Sequence, residues 1–328
     1  MSDLSIAKTM AAMQVVELGA PLSPAQVDVP APGPGEVLVR VHACGVNYGD
    51  LLIVKGSYQE SRPLPFTPGM EISATIAALG DGVTDLQVGQ RIASYCGFGG
   101  FAEFAVVPAS TCVPVPEAMS DTEVAAFLIA YGTSDVALRR RAAMQPGETL
   151  LVLGASGGVG LTAVELGKQM GATVIAVARG SEKLAVCRDA GADHLINSET
   201  DDIRETVKSL GGADVVYDPV GGDQFKAALR ASNPEARILP LGFASGDVPQ
   251  IPANIILVKN ISVIGFYWGG YAKTDPGVLT ESFAHLFALH AAGKLRPHVS
   301  HTLPLDQANE ALALLRDRKA TGKVVVTI

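Results

Sequence analysis

The sequence predicts an α/β protein in which a doubly wound parallel sheet is inserted into a β-rich domain. Two textures point there. From Met10 to about Pro116, short β-prone runs are broken by Gly and Pro, whereas beyond about Ser120 short continuous apolar runs alternate with helical patterns. The second texture is that of a parallel sheet covered on both faces. The chain then ends on a strand pattern, Lys323-Val-Val-Val-Thr-Ile328, so it is expected to leave the β domain, build the α/β domain and return.

The elements follow in order. Val37-Leu-Val-Arg-Val-His42, after a Pro-Gly-Pro-Gly turn ending at Gly35, reads as a strand, as do Glu71–Ala77 and Phe101–Val107. Asp121-Thr-Glu-Val124 reads as a helix start, with acids placed favourably in its first turn. Strands are then expected at Thr149–Leu153, Thr173–Val177, Val215–Tyr217, Arg237–Leu241 and Ile261–Ile264. Helices are expected at Gly160–Met170, Ser181–Ala190, Thr280–Ala292 and Leu305–Lys319.

Composition narrows the function. The 328 residues are 48% hydrophobic and 18% charged, and the mean hydropathy is +0.28, which excludes a disordered or coiled-coil chain and leaves room for about two domains. A net charge of −8 argues against nucleic acid as a partner, since phosphate contacts need a basic surface. Cys44, Cys96, Cys112 and Cys187 are tens of residues apart, without metal-ligand spacing, and are expected to be reduced thiols in a cytoplasmic protein. The opening Met1-to-Met10 segment carries an acid and no apolar run of signal-peptide length. No stretch reaches the roughly 18 apolar residues of a membrane span.

The strongest motif is Val152-Leu-Gly-Ala-Ser-Gly-Gly-Val-Gly160, which follows an apolar run and opens a helical one. In that setting glycines permit a tight turn and close approach of backbone to a pyrophosphate, whose charge is met by N–H groups at the helix N-terminus. Ala155 stands where the first glycine of G-x-G-x-x-G is usual. Roughly 20 residues on, an NAD site carries an acid for the ribose 2′-hydroxyl. Here Val177-Ala-Arg179 is followed by Ser181 and Lys183, a cationic set suited to a 2′-phosphate. The expectation is therefore NADPH, the other reading of Arg179 and Lys183 being solvated residues at a helix edge.

Seven segments carry a family resemblance: Gly45-Val-Asn-Tyr-Gly-Asp50, Pro68-Gly-Met-Glu71, Gly99-Gly-Phe-Ala-Glu103, Ala155-Ser-Gly-Gly-Val-Gly160, Asp218-Pro-Val-Gly221, Gly265-Phe-Tyr-Trp-Gly269 and Gly322-Lys323. In order and spacing the chain resembles the zinc-independent quinone oxidoreductases, the zeta-crystallin type of the medium-chain dehydrogenase/reductase superfamily. The resemblance implies a GroES-like domain from residues 1–124 and 265–328, a Rossmann domain from 125–264, and an active site in the cleft. It also implies that zinc is absent, because the ligand positions of the alcohol dehydrogenase branch fall near Asn47, Met70 and Ile129, and zinc favours thiolate, imidazole or carboxylate.

Without a Lewis acid, hydride delivery to a conjugated acceptor is easier to support than alcohol oxidation. The resemblance makes Asn47 and Tyr58 the catalytic candidates, Asn47 also touching the nicotinamide region and Tyr58 donating a proton or hydrogen bond to the acceptor oxygen. Both have structural alternatives, a turn asparagine and a core tyrosine. The implied cofactor-binding set adds Thr133, Ser156, Gly157, Gly158, Val159, Arg179, Ser181, Lys183, Val220, Leu241, Gly242, Phe243, Phe266, Trp268 and Lys323. Asp50 is expected to be a structural acceptor, and Glu71 has no role that the sequence assigns. The activity implied is NADPH-dependent reduction of a quinone, with an enone, 2-alkenal or enoyl thioester as the rival acceptor and a non-enzymatic NADPH-binding protein as the rival class. A homodimer paired through Asn260–Ile264 completes the expectation.

Overall fold

A computed structural model describes residues 6–328, so most of the opening segment, Met1-Ser-Asp-Leu-Ser, lies outside the described residues. The chain divides into two compact units: the first runs to Ile129 and resumes at Pro297–Ile328, and the second is Ala130–Arg296.

The first unit begins with β1 (Thr9–Gln14), β2 (Ser23–Asp28), β3 (Glu36–Val46), α1 (Tyr48–Lys55), β4 (Glu71–Leu79), β5 (Arg91–Tyr95), β6 (Phe104–Pro108), β7 (Cys112–Pro114) and α2 (Asp121–Ala125). Ser120 caps α2 as the acids of its first turn foretell, accepting the Glu123 amide while Glu123 reaches back to the Ser120 amide. α1 lies outside the elements expected above; Asn47 starts it, its amide donating to Asp50 Oδ2 at 2.8 Å.

α3 (Leu128–Asp135) starts in the last two residues of the first unit's opening segment and continues into the second unit, where it is followed by β8 (Thr149–Val152), α4 (Gly158–Gln169), β9 (Thr173–Ala178), α5 (Gly180–Asp189), β10 (His194–Asn197), α6 (Ile203–Ser209), β11 (Ala213–Asp218), α7 (Gly222–Ala231), β12 (Ser232–Pro240), α8 (Ala253–Lys259), β13 (Ser262–Val263), α9 (Tyr271–Thr274) and α10 (Pro276–Ala291). Its six strands are parallel, in the order β10-β9-β8-β11-β12-β13. The first three strands thus run outward one way and the next three the other, the doubly wound Rossmann order. Leu150, Leu151, Val152, Val215 and Val216 of the two central strands are fully buried, each worth roughly 1.5–3 kcal/mol relative to exposure. Strand β10 was not anticipated, its four residues being too short and too polar at the ends. The strand expected at Ile261–Ile264 shrinks to Ser262–Val263.

The chain re-enters the first unit with β14 (Val299–Pro304), α11 (Ala308–Arg316) and β15 (Lys323–Thr327). These complete a seven-stranded sheet, β14-β15-β3-β4-β5-β7 with β6 also on β3. The helix expected from Leu305 begins instead with a 3₁₀ turn, Leu305–Gln307. Antiparallel register sets Val324 opposite Val46 and Gly45 opposite Glu71, so the ends of three adjacent strands meet.

The return crossing falls at 296/297, later than the expected 264/265. Segment 265–296 stays with the second unit because α10 is bonded to the end of α3: Ser282 Oγ donates to Asp135 Oδ2 at 2.6 Å, His285 Nδ1 lies 3.0 Å from Asp135 Oδ1, and Arg139 pairs with Glu281 at 2.7 Å. Trp268 packs on Gly132 in the same unit, where a Cβ on the glycine would sit 3.0 Å from the indole.

Candidate functional site

In the first unit, the strand ends gather a buried polar cluster. Lys323 Nζ donates to Glu71 Oε1 at 2.7 Å, to Asn47 Oδ1 at 2.7 Å and to the Val46 carbonyl at 3.1 Å. All three ammonium protons are therefore used. Asn47 Nδ2 donates to Glu71 Oε1 at 2.9 Å and to the Gly45 carbonyl at 3.1 Å, and Glu71 Oε2 accepts the Ile129 amide at 2.8 Å. Lys323 is 5% exposed and Glu71 1%; at that depth an ion pair persists only with its remaining hydrogen-bonding groups satisfied. Gly45 is glycine for want of room, since a Cβ there would lie 1.9 Å from the Ala125 carbonyl oxygen and 2.8 Å from Glu71 Oε1.

Beside the cluster, Asp50 is fully buried and accepts the amides of Asn47 and Gly69. Burial pushes its carboxyl up to about 7, against the pull of those two amides and Lys323. Burial likewise raises the Cys44 and Cys96 thiols, which makes them poor nucleophiles. Tyr58 is half-buried just past α1, and a Cβ on Gly49 would lie 3.4 Å from its ring.

In the second unit, the glycine-rich turn joins the end of β8 to the start of α4. Gly157 precedes the helix in an extended conformation, and the Gly157 amide donates to the Gly154 carbonyl at 3.0 Å. Gly160 admits no side chain: a Cβ would lie 2.3 Å from Gly154 O and 2.9 Å from Ala155 Cα. Gly154 takes φ +58, a left-handed conformation that favours glycine. Gly158 and Val159 occupy the first helical turn and Ser156 the turn before it, where amides lack intrahelical partners and favour an anion.

Val220 faces this turn, 2.9 Å from where a Gly154 Cβ would be. Asp218 braces the Val220 loop: its Oδ1 accepts the Val220 and Gly221 amides at 2.7 and 2.9 Å. Leu241 donates to the Asp218 carbonyl at 2.8 Å, and Ala244 and Ser245 donate to Pro219 and Val220. Gly242 and Phe243 thus share one rim with Val220 at the C-terminal ends of β8, β11 and β12, the place where ligands bind in doubly wound sheets. Phe243 is 39% exposed on that rim.

Arg179 and Ser181 are exposed and Lys183 half-buried at the start of α5. Thr133 is buried in α3 beside Gly132. Trp268 is 5% exposed and stands edge-on to Phe283, while Phe266 tilts against Tyr271. Of the expected residues, the structure therefore gathers Ser156, Gly157, Gly158, Val159, Val220, Leu241, Gly242 and Phe243. It commits Lys323 and both amide protons of Asn47 to the first unit's interior, and buries Trp268 in the second unit's packing. Sequence reasoning missed three supporting groups. Glu71 ties together partners far apart in sequence, Asp218 acts through Oδ1, and Asn197 Oδ1 accepts the Gly180 and Glu199 amides at 3.0 and 3.1 Å. The asparagine ending a short strand was the one available signal for Asn197.

Fold and turn together define an oxidoreductase of the Rossmann class carrying a GroES-like unit. Residues 33–117 match the family model for the alcohol dehydrogenase GroES-like domain, and residues 158–284 match that for zinc-binding dehydrogenases. The quinone oxidoreductase-like protein 2 homolog of Nematostella vectensis is 43% identical over 300 residues, covering 90% of this chain and 82% of its own length. Among solved structures, a mycobacterial protein complexed with NADPH superposes at TM-score 0.92 and 31% identity, covering 97% of this chain and all of that one. The Escherichia coli quinone oxidoreductase complexed with NADPH gives TM-score 0.92 and 27% identity over the same shares. The chain belongs to the medium-chain dehydrogenase/reductase superfamily, within its quinone oxidoreductase group.

The zinc in the name of one family model does not suit these residues. Asn47, Met70 and Ile129 offer an amide, a thioether and an alkyl group, and the amide oxygen already accepts from the Lys323 ammonium, which would repel a dication. Among the described residues no group of three or more His, Cys, Asp or Glu is placed to hold a metal, and no helix is long and apolar enough to cross a membrane.

Proposed function

We propose that this chain is an NADPH-dependent quinone reductase that works without a metal. The observation that carries the reading is the turn from Gly154 to Gly160, built so tightly that Gly160 has no space for a methyl group and set where the strand order reverses. A bound pyrophosphate is met there by the first-turn amides of α4. Bound NADPH supplies the hydride, and uptake of one proton completes reduction of a quinone to its hydroquinone.

The chain's own groups have two tasks. Val220, Leu241, Gly242 and Phe243 form the rim beside the turn, braced by Asp218, and hold a flat ring by contact. Thr133, Phe266 and Trp268 are proposed to support that rim. Asn47 and Tyr58 are proposed to serve the acceptor, Tyr58 as hydrogen-bond donor to its oxygen. The proposed part of Lys323 is to fix Asn47, to whose Oδ1 it donates. Support for NADPH over NADH comes from Arg179 just past β9, with Ser181 and Lys183 in the first turn of α5, and from the bound NADPH of the two structural relatives.

Four free thiols fit a reducing, cytoplasmic setting. A homodimer is proposed through the short edge strand β13, beside which Leu257 and Val258 are 76% and 73% exposed. Stopped-flow oxidation of NADPH with 1,4-benzoquinone, naphthoquinones and 2-alkenals tests the activity. Turnover is expected with the quinones. Turnover with alkenals alone would replace the substrate, no oxidation with any acceptor would dismiss the enzyme, and a particle of one chain mass would dismiss the dimer.

A further inference from the structure

Parallel register sets Ala178, the last residue of β9, beside Asn197, the last residue of β10. The residues just beyond the two strand ends are therefore neighbours. Asn197 fixes both backbones, its Oδ1 accepting the Gly180 and Glu199 amides, while the Ser198 amide donates to the Ala178 carbonyl at 2.9 Å. Across this frame the Glu199 carboxylate lies 3.4 Å from Arg179 Nε, each side chain about half exposed at 52% and 53%. The guanidinium that would take a 2′-phosphate is thus already engaged by the chain's own anion.

We propose that Glu199 is a specificity residue that sets the balance between NADPH and NADH. The inference rests on the pyridine-nucleotide reading above. A 2′-phosphate reaching Arg179 must displace the carboxylate and then lie close to it, two anions near one cation. A ribose 2′-hydroxyl meets no such repulsion and finds in Glu199 a hydrogen-bond acceptor on an ordered backbone, the part a carboxylate plays at NAD sites. Glu199 therefore weakens NADPH and narrows its margin over NADH.

The test is the dissociation constant of each nucleotide for the wild-type protein, Glu199→Gln and Arg179→Gln, read from quenching of the single tryptophan, Trp268, and from nucleotide fluorescence. Removing one like charge from the neighbourhood of a phosphate in a wet, salt-screened site is worth roughly fivefold. Glu199→Gln is expected to bind NADPH about fivefold tighter and NADH more weakly, and the NADPH gain is expected to shrink at high salt. Arg179→Gln is expected to shift the ratio towards NADH. Binding of both nucleotides with a ratio unchanged in Glu199→Gln overturns this inference and leaves the cofactor reading standing. Failure of the wild-type protein to bind either one overturns both.

Discussion

The two units handle charge in opposite ways. At the strand ends of the first, Lys323 and Glu71 are withdrawn from water and complete their hydrogen bonds with each other and with half-buried Asn47. At the strand ends of the second, Arg179 and Glu199 meet across 3.4 Å with about half of each side chain in solvent. A buried pair repays its desolvation only by completing its hydrogen bonds, so its members are fixed parts of the fold. A half-exposed pair contributes on the order of 0–1 kcal/mol and is easily exchanged for a ligand. A cation–glutamate pair is thus scaffold in one unit and a loosely held surface contact in the other.

The largest expected break is in the buried pair. Lys323→Ala leaves Glu71 as an uncompensated charge with one lost partner, at a cost of about 3–5 kcal/mol. Lys323→Met combined with Glu71→Gln, which removes both charges, is expected to recover most of that loss in the manner of a coupled pair. Denaturant unfolding of the two variants checks it. Equal losses in the single and double variants would show that the charge pairing is not what matters.

Asp50 sharpens the contrast through pH. Its carboxyl stands at about 7 in the folded chain because burial penalises the anion, against roughly 3.9 when unfolded. Between those values the folded state holds a proton that the unfolded state has released. The stabilisation from this group is complete below about pH 4 and is lost by about pH 7, a swing of at most about 4 kcal/mol. Asp50→Asn is expected to flatten that part of the profile, at the cost of one backbone amide losing its acceptor. Unfolding at pH 5, 6, 7 and 8 measures it, and parallel profiles for the two proteins would refute the assignment.

How much of this was legible in the sequence depended on the range of the interaction. The turn from Gly154 to Gly160 is local, so its glycines and the apolar run before them declared the doubly wound fold and the strand-to-helix turn itself. The start of α2 at Asp121 was readable from its first-turn acids for the same reason. Lys323, by contrast, meets Asn47 across 276 positions, and only the antiparallel return of β15 onto β3 brings them together. A lysine beside a final glycine therefore gives no sign that its three protons are donated inside the first unit. The packing of Trp268 was hidden for a similar reason, because an aromatic run does not announce that Gly132 has left a slot for its indole. The domain boundary was set late by Asp135, Ser282 and His285, polar residues whose pairing no periodicity reveals.

The smallest expected stability effect comes from the uncharged side of the comparison. Gly160→Ala inserts a methyl group where Gly154 O would be 2.3 Å away and Ala155 Cα 2.9 Å away, and both obstacles are backbone. Neither side can yield by a rotamer change, so helix α4 must shift relative to β8, at a cost of about 1–3 kcal/mol. That shift moves the first-turn amides on which the proposed pyrophosphate site depends, and positioning of such donors is sensitive to displacements of about 1 Å. Nucleotide affinity should therefore fall by a larger factor than the folding constant of the second unit, whereas Lys323→Ala should do the reverse. Isothermal titration with NADPH alongside denaturant unfolding distinguishes the two: a Gly160→Ala protein that binds as tightly as the parent would mean that the closeness of helix and strand serves packing alone.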